Sequence, residues 1–480
     1  MEFPQSFISQ MERLLGDADA NRFFLALNEE QPTSIRLNPL RKASDAGLTA
    51  VEAESVVPWA SHAFYLSRRP AFTFDPLFHA GCYYVQEASS MFVEQAVKLY
   101  LPEDSAVVLD LCAAPGGKST LLRSLLPDEC LLVANEVIRN RSQILAENLT
   151  KWGHPNVAVT NNDPSDFTQL SDCFDMILAD VPCSGEGMFR KDAEAVSEWS
   201  LENVDICYQR QRRIVADVWP ALKPGGVFIY STCTYNTLEN EENVRWICKE
   251  LGAQVLPLQV KEEWQVSGNL LAGEEFPVYR FLPHRTCGEG FFMAVLRKDG
   301  DAAKGFEIPQ AKSSKQKKGQ GSKKGQPTLA KDQAAMLRQW ISCLEDCQLV
   351  ADEQEVFALP NRHAALLTYL RSTLRVLLAG VTIAELKGKD WQPTHALAMS
   401  ALLDKTFFPK AEVTYEQAIA YLRKEVVVLS ADVPRGIVLL TYQGHSIGFV
   451  KNVGNRANNL YPQEWRIRSS HVPEKVCVVE

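Results

Sequence analysis

The chain has 480 residues, a formal net charge of −9, and 46% apolar and 23% charged residues. That length exceeds one hydrophobic core and predicts about two to four domains of ordinary globular composition. The opening residues, Met1-Glu2-Phe3-Pro4-Gln5-Ser6, read as neither signal peptide nor anchor, and no apolar run reaches membrane-spanning length, so a cytoplasmic, non-membrane protein is expected.

In chain order, residues 7–15 and 22–27 read as short helices and 33–38 as a strand ended by Pro39. Proline- and aromatic-rich loops lead to residues 81–90 and then a helix over 91–100. From Ser105 onward, strand and helix alternate. Strands are predicted at 106–111, 130–134, 157–160, 176–179, 227–230 and 291–297, and helices at 119–126, 139–152, 201–222 and 238–251. This alternation implies right-handed crossovers and a mostly parallel α/β sheet. Residues 299–328 turn to Lys, Gly, Ser and Gln and read as a flexible basic linker. Beyond it, 329–349 reads as helix, followed by mixed elements at 356–359, 373–378 and 395–403. Residues 436–451 read as a β-hairpin with Gln443-Gly444-His445 at its turn. The expected division is an N-terminal extension (1–90), an α/β domain (91–298), the linker (299–328), a first C-terminal domain (329–410) and a β-rich terminal domain (411–480).

Of the twelve cysteines, Cys112, Cys183, Cys233 and Cys248 lie in or beside predicted elements of an α/β core, which needs no disulfides. Cys343 and Cys347 share a predicted helix face, but no matching His or Cys pair accompanies them, so no metal site is expected. Although the net charge is acidic, the basic residues cluster. Residues 312–324 hold six lysines and no acid, Arg210, Arg212 and Arg213 form a second group, and Arg68-Arg69 a third. Each reads either as a solvated surface or as part of a nucleic-acid footprint.

Residues 110–118 (DLCAAPGGK) form a strand-to-helix turn with paired glycines, which let a backbone approach a ligand and open a helix N-terminus toward it. The spacing matches neither the dinucleotide fingerprint nor a P-loop, which argues against a nicotinamide dehydrogenase. Glu136 ends the next strand, where a carboxylate accepts hydrogen bonds from ribose hydroxyls, and Asp163 follows the third, where it can meet an adenine amino group. The bland alternatives are a helix-capping acid at Glu136 and a turn-starting acid at Asp163 before Pro164.

Cys183, in Asp180-Val181-Pro182-Cys183-Ser184-Gly185, and Cys233, in Ser231-Thr232-Cys233-Thr234, each follow a strand. Both thiols are therefore expected at strand carboxyl ends, where open α/β sheets bind ligands. Two such thiols suit chemistry on a pyrimidine. Thiolate addition at C6 of cytosine makes C5 nucleophilic, a base then removes the C5 proton, and a second thiol assists elimination. A carboxyl group such as Asp180 near ring N3 would stabilise the adduct.

The strings CAAPGGK (112–118), DVPCSG (180–185) and STCT (231–234), with VQEASSM (85–91), EGMFRKD (186–192) and GEGFF (288–292), resemble the RNA cytosine-C5 methyltransferases of the Nop/Sun class. The resemblance covers residues 30–298, and the chain length and two following domains resemble the branch acting on bacterial 16S rRNA. It implies a Rossmann-like methyltransferase fold with an N-terminal α/β extension and C-terminal PUA-like RNA-binding domains. It implies Cys233 as nucleophile, Cys183 in product release, and Asp180 as a third catalytic residue. The cofactor it implies is S-adenosylmethionine, held by Cys112, Ala113, Ala114, Pro115, Gly116, Gly117, Lys118, Glu136, Asp163 and Asp180. DNA cytosine-C5 enzymes use their Pro-Cys thiol instead, so both cysteines together speak for RNA. The expected partner is 16S rRNA in the small ribosomal subunit, with a tRNA cytosine methyltransferase and a non-catalytic RNA-binding assembly factor as alternatives, and a monomer is expected. Residues after 328, with Lys451 and Arg456, are expected to supply RNA affinity, and a chain ending near residue 300 to keep cofactor binding.

Overall fold

Proline and aromatic residues in the first segment do not leave it as loops. Two helices, Gln5–Leu15 and Asp17–Ala26, precede four strands, β1 (Thr33–Leu37), β2 (Ala53–Val56), β3 (Ala63–Leu66) and β4 (Tyr83–Val85). These pair antiparallel in the order β2-β3-β1-β4. The sequence reading found only β1, because β2 and β3 are four residues long and irregularly patterned. The computed structural model describes all residues except 1, 42–47, 103–104, 302–305, 309–328, 343–344, 470, 472 and 474. The lysine-rich run and Cys343 therefore lie outside the described residues.

The central sheet follows from buried aliphatic runs separated by helices, which can cover both faces only if the strands run parallel. β5 (Val107–Asp110), β6 (Leu131–Asn135), β7 (Val157–Thr160), β8 (Phe174–Asp180) and β9 (Leu222–Thr232) pair parallel in the order β7-β6-β5-β8-β9. β10 (Ala253–Val255), β11 (Tyr279–Phe281) and β12 (Phe291–Lys298) complete that side, with β12 antiparallel to β9. This is a Rossmann-like doubly wound sheet, and its strand order reverses between β5 and β8. The helix predicted over 201–222 stops at Val218, and the Lys223-Pro224-Gly225-Gly226 stretch belongs to the start of β9.

Beyond the linker the helix predicted over 329–349 is a shorter one, Lys331–Arg338, and Cys347 opens a strand instead of sharing a helix face with Cys343. That strand, β13 (Cys347–Ala351), pairs with β14 (Glu355–Pro360) across a turn anchored by Asp352, so strand pairing overrides the helical period. β15 (Val376–Ala379) leaves this segment and adds to the far edge of the central sheet, antiparallel to β7. β16 (Val381–Lys387) and β17 (Asp390–Pro393) return to the sheet of β13 and β14. β18 (Lys410–Glu412), β19 (Gly436–Tyr442), β20 (His445–Asn452) and β21 (Ala457–Asn459) form the last sheet. The predicted hairpin is β19–β20, and its turn residues Gln443 and Gly444 both take positive φ, 49° and 75°.

The chain ends meet. Ile35, Phe72 and Tyr83 share one core with Val413, Tyr421, Val438 and Tyr461. The Tyr415 hydroxyl donates to the Phe74 carbonyl, and Val478 N–H to Asp75. Among the described residues no helix is long and apolar enough to cross a membrane, and no cluster of three or more His, Cys, Asp or Glu could hold a metal ion.

One ion pair fixes the β9–β12 side. Arg280 on β11 donates to both Glu241 oxygens at 2.6 Å, and both side chains are fully buried. Removing one member leaves an uncompensated buried charge. Glu241→Ala is expected to lower unfolding free energy by about 3–5 kcal/mol in urea titration; a loss under ~1 kcal/mol would mean that the pair does not hold this side of the sheet.

Candidate active site

The carboxyl ends of the parallel strands surround a cavity of about 540 Å³, lined by Cys112, Ala114, Glu136, Arg141, Asp163, Asp180, Cys183, Arg210, Arg213 and Cys233 among others. A larger cavity of about 1010 Å³ opens between the N-terminal sheet and Arg190, but none of these strand-end residues reaches it. The expected site residues gather at the smaller one.

Of the turn after β5, Cys112 and Ala114 line the cavity, whereas Pro115, Gly116, Gly117 and Lys118 do not. Gly116 adopts φ 116° and precedes helix Gly117–Leu125, as the strand-to-helix reading requires. A Cβ on Gly117 would lie 3.4 Å from the Tyr84 ring and 3.6 Å from Gln86. A side chain at Gly117 would thus meet only ordinary contacts, and the positive φ of Gly116 is what the turn itself requires of glycine. Lys118 points under the site and donates to Asp180 Oδ2 at 2.8 Å, while Ser231 donates to Oδ1 at 2.8 Å. Burial opposes the charge on Lys118, but Asp180 and Asp110 outweigh it and raise its pKa above that of free lysine. Burial, reinforced by Asp180 and Asp110, pushes the Cys112 thiol well up, so it stays protonated.

Glu136 ends β6 with its carboxylate buried, accepting the Ile138 N–H at 2.8 Å and facing Arg141 at 3.6 Å. Asp163 both borders the cavity and caps the turn Pro164–Leu170, accepting from Ser165 N at 3.1 Å and Ser165 Oγ at 2.8 Å. Burial works to raise its pKa, yet the Ser165 bonds and Arg213, 4.0 Å away, bring it below the usual value. The turn-starting reading of Asp163 is therefore what the structure shows, and its place at the cavity leaves the adenine reading open to it. Within the arginine group, Arg210 and Arg213 reach the cavity, whereas Arg212 donates to Asn243 and stacks over Tyr208.

The two thiols converge: Cys183 Sγ lies 3.1 Å from Cys233 Sγ. Parallel pairing of β8 with β9 sets Asp180 opposite Ser231, so the loops leave side by side. The contact with Cys233, then burial, raises the Cys183 pKa well above that of a free thiol.

Two residues outside the predicted site set the loops. Glu186, fully buried, accepts hydrogen bonds from Tyr235 N, Asn236 N, Asn236 Nδ2, Gln10 Nε2 and Trp199 Nε1. Glu239, also fully buried, accepts from Ser184 N, Gln211 Nε2 and Asn236 Nδ2. Burial, then the neighbouring Glu186, pushes the Glu239 carboxyl up to about 7. Gly187 donates to the Cys233 carbonyl at 2.7 Å, and a Cβ there would sit 2.5 Å from that oxygen. Glu186 stands in the EGMFRKD string and was legible as part of it; Glu239 had no sequence signal.

Three segments of the chain match known families. Residues 97–297 match 16S rRNA methyltransferase RsmB/F, 3–88 the N-terminal domain of 16S rRNA methyltransferase RsmF, and 408–467 the methyltransferase RsmF PUA domain. The relative named ribosomal RNA small subunit methyltransferase F in Erwinia tasmaniensis is 32% identical, covering 96% of this chain and 96% of its own. Its namesake in Aliivibrio fischeri is also 32% identical, over 96% of this chain and 97% of its own. This chain belongs to the RsmB/F methyltransferase family. A solved methyltransferase homologue from Pyrococcus horikoshii, 30% identical with a TM-score of 0.52, covers 62% of this chain and 95% of its own. NSun6 of the same organism, 21% identical with a TM-score of 0.52, shares the fold over 62% of this chain and 99% of its own. The RsmB/F family assignment thus rests on the whole chain, and the PUA match coincides with the last sheet.

Asp110, under the turn, is fully buried; Ser119 donates to Oδ2 at 2.6 Å, and Oδ1 has no partner among the described residues. Burial, against the Ser119 bond, pushes its carboxyl from 3.8 up to about 7. The unfolded chain therefore loses this proton at lower pH than the folded one, so its contribution to stability is full below about pH 4 and is lost as pH rises to about 7. Asp110→Asn cannot titrate, and thermal melts between these limits are expected to fall less with pH than those of the parent. An unchanged slope would show that Asp110 is ionised throughout.

Proposed function

We propose that the protein methylates C5 of cytosine in RNA, with S-adenosylmethionine as methyl donor and 16S rRNA of the small ribosomal subunit as substrate. The observation that carries this reading is the pair of thiols 3.1 Å apart, beside Asp180, at the head of the strand-end cavity. The substrate rests on the names of relatives that match along the whole chain and on the PUA match. Lys451 and Arg456, both exposed on the last sheet and its loop, are candidate phosphate contacts whose grip weakens with salt.

The residues present fit the cofactor. A cavity of about 540 Å³ suits a nucleoside of this size. Glu136 presents a buried carboxylate whose second oxygen meets only Arg141 among the described residues, leaving acceptor capacity for ribose hydroxyls. Asp163 would face the adenine amino group, and the turn at Leu111, Cys112 and Ala114 would close the other side.

Cys233, as thiolate, adds to C6 of a cytosine taken out of its stack, and the electron pair moves to C5. Asp180, itself held by Lys118 and Ser231, shares a proton with ring N3 and so stabilises the adduct. Bound in the cavity, S-adenosylmethionine supplies an electrophilic methyl group to the activated C5. Water or hydroxide entering from solvent then takes the C5 proton, the ring regains aromaticity as Cys233 leaves as thiolate, and the Cys183 S–H, 3.1 Å away, assists that release by hydrogen-bonding to the departing sulfur. A thiol whose pKa lies well above its usual value is a poor nucleophile at neutral pH but stays protonated and can donate to a departing thiolate.

The experiment pairs two variants on small ribosomal subunits. Cys233→Ala is expected to abolish both methylation and any protein–RNA adduct. Cys183→Ala is expected to accumulate a covalent complex, seen as a retarded band on a denaturing gel. Methylation by Cys233→Ala, or the band appearing with that variant instead, would reverse the roles.

A further inference from the structure

The segment after the linker does more than follow the catalytic sheet. β15 pairs with β7, setting Val376 opposite Thr160 and Ala379 opposite Ala158. The residue before it, Arg375, makes two backbone bonds to the turn that ends β7. Its N–H donates to Asn162 Oδ1 at 3.0 Å, and its carbonyl accepts from Asn161 N at 2.9 Å.

Each asparagine passes that restraint to one side of the cavity. Asn161 Nδ2 donates to the carbonyls of Glu136 at 2.7 Å and Val137 at 2.9 Å, fixing the backbone that carries the Glu136 carboxylate. Asn162 Nδ2 donates to Asp166 Oδ2 at 2.9 Å, and that oxygen also accepts the Asp163 N–H at 3.2 Å. The same segment supports the turn from below. Leu367, Leu370 and Leu374 share a core with Phe167 and Leu170, which lie in the helical turn that Asp163 caps.

We propose that β15, through the Arg375 backbone and the side chains of Asn161 and Asn162, is a positioning element of the cofactor cavity, holding Glu136 and Asp163 at their working separation. This rests on the reading of Glu136 and Asp163 as the ribose and adenine partners. Residues beyond the linker thus complete the site itself, and a chain ending near residue 300, which lacks β15, loses cofactor affinity instead of keeping it as the sequence suggested.

The test uses the full chain and S-adenosylmethionine in titration calorimetry, with melting temperature measured alongside. Arg375→Pro removes the N–H donor together with an exposed side chain, for which Arg375→Ala is the control expected to bind like the parent, and Leu374, at φ −114° and ψ 162°, already has the extended backbone that a following proline requires. Asn162→Ala removes the acceptor from the other side. Arg375→Pro and Asn162→Ala are each expected to raise Kd about fivefold or more, as losing one hydrogen bond does, and to raise KM for the cofactor while kcat at saturation stays within about twofold. A Kd within about twofold of the parent in both variants, or a kcat loss at unchanged Kd, would overturn the proposal. Failure of the parent chain to bind S-adenosylmethionine would instead overturn the cofactor reading on which it rests.

Discussion

Everything at the head of the cavity depends on two buried carboxylates sharing one asparagine. The Asn236 amide sits between Glu186 and Glu239, donating at 3.1 Å and 2.8 Å. Glu186 belongs to the loop after Cys183 and grips the backbone after Cys233; Glu239 belongs to the segment after Cys233 and grips Ser184 next to Cys183. The clamp is reciprocal, so neither loop can shift without breaking charge-assisted bonds worth roughly 1.5–3 kcal/mol each. Taking two carboxylates out of water costs several kcal/mol per ion. The dense donor set offsets that for Glu186, and for Glu239 burial leaves the carboxyl protonating near neutrality.

The N-terminal helices belong to the same construction. Phe7, Phe23, Phe189, Trp199 and Tyr235 pack in one aromatic core, and Gln10 reaches into the clamp to donate to Glu186 at 2.9 Å. The N-terminal sheet meets the terminal sheet in a shared core, and β15 closes the edge of β7. The extension, the central sheet and the C-terminal segments are therefore linked by packed contacts and strand pairing.

The parallel sheet was legible because its strands are buried on both faces and read as continuous aliphatic runs; β7 (Val157–Thr160) and the helix Arg139–Trp152 fall where their patterns place them. The strand ends gave Glu136, Asp163, Asp180, Cys183 and Cys233 for the same reason, since position after a strand is a one-dimensional property. What stayed hidden depends on contacts distant in sequence. β15 overlaps the element expected at 373–378, but its partner lies more than 200 residues upstream, and no local pattern names that partner. Glu239 reads as one more acid in the first turn of the helix expected over 238–251, which begins only at Glu241, and only the fold turns it toward Ser184. At the paired glycines the structure shows one requirement that sequence reading did not single out, the positive φ of Gly116.

The central claim, that Cys233 is the thiol that bonds to the base, is tested most directly by covalent trapping. RNA carrying 5-fluorocytidine at the target blocks loss of the C5 substituent, so the adduct cannot be resolved. After incubation of the unmodified protein with this RNA and S-adenosylmethionine, proteolysis and mass spectrometry locate the modified peptide. The account predicts a methylated fluoropyrimidine nucleotide on the peptide containing Cys233, with Cys183 free; the same mass on the Cys183 peptide, with Cys233 free, would contradict it.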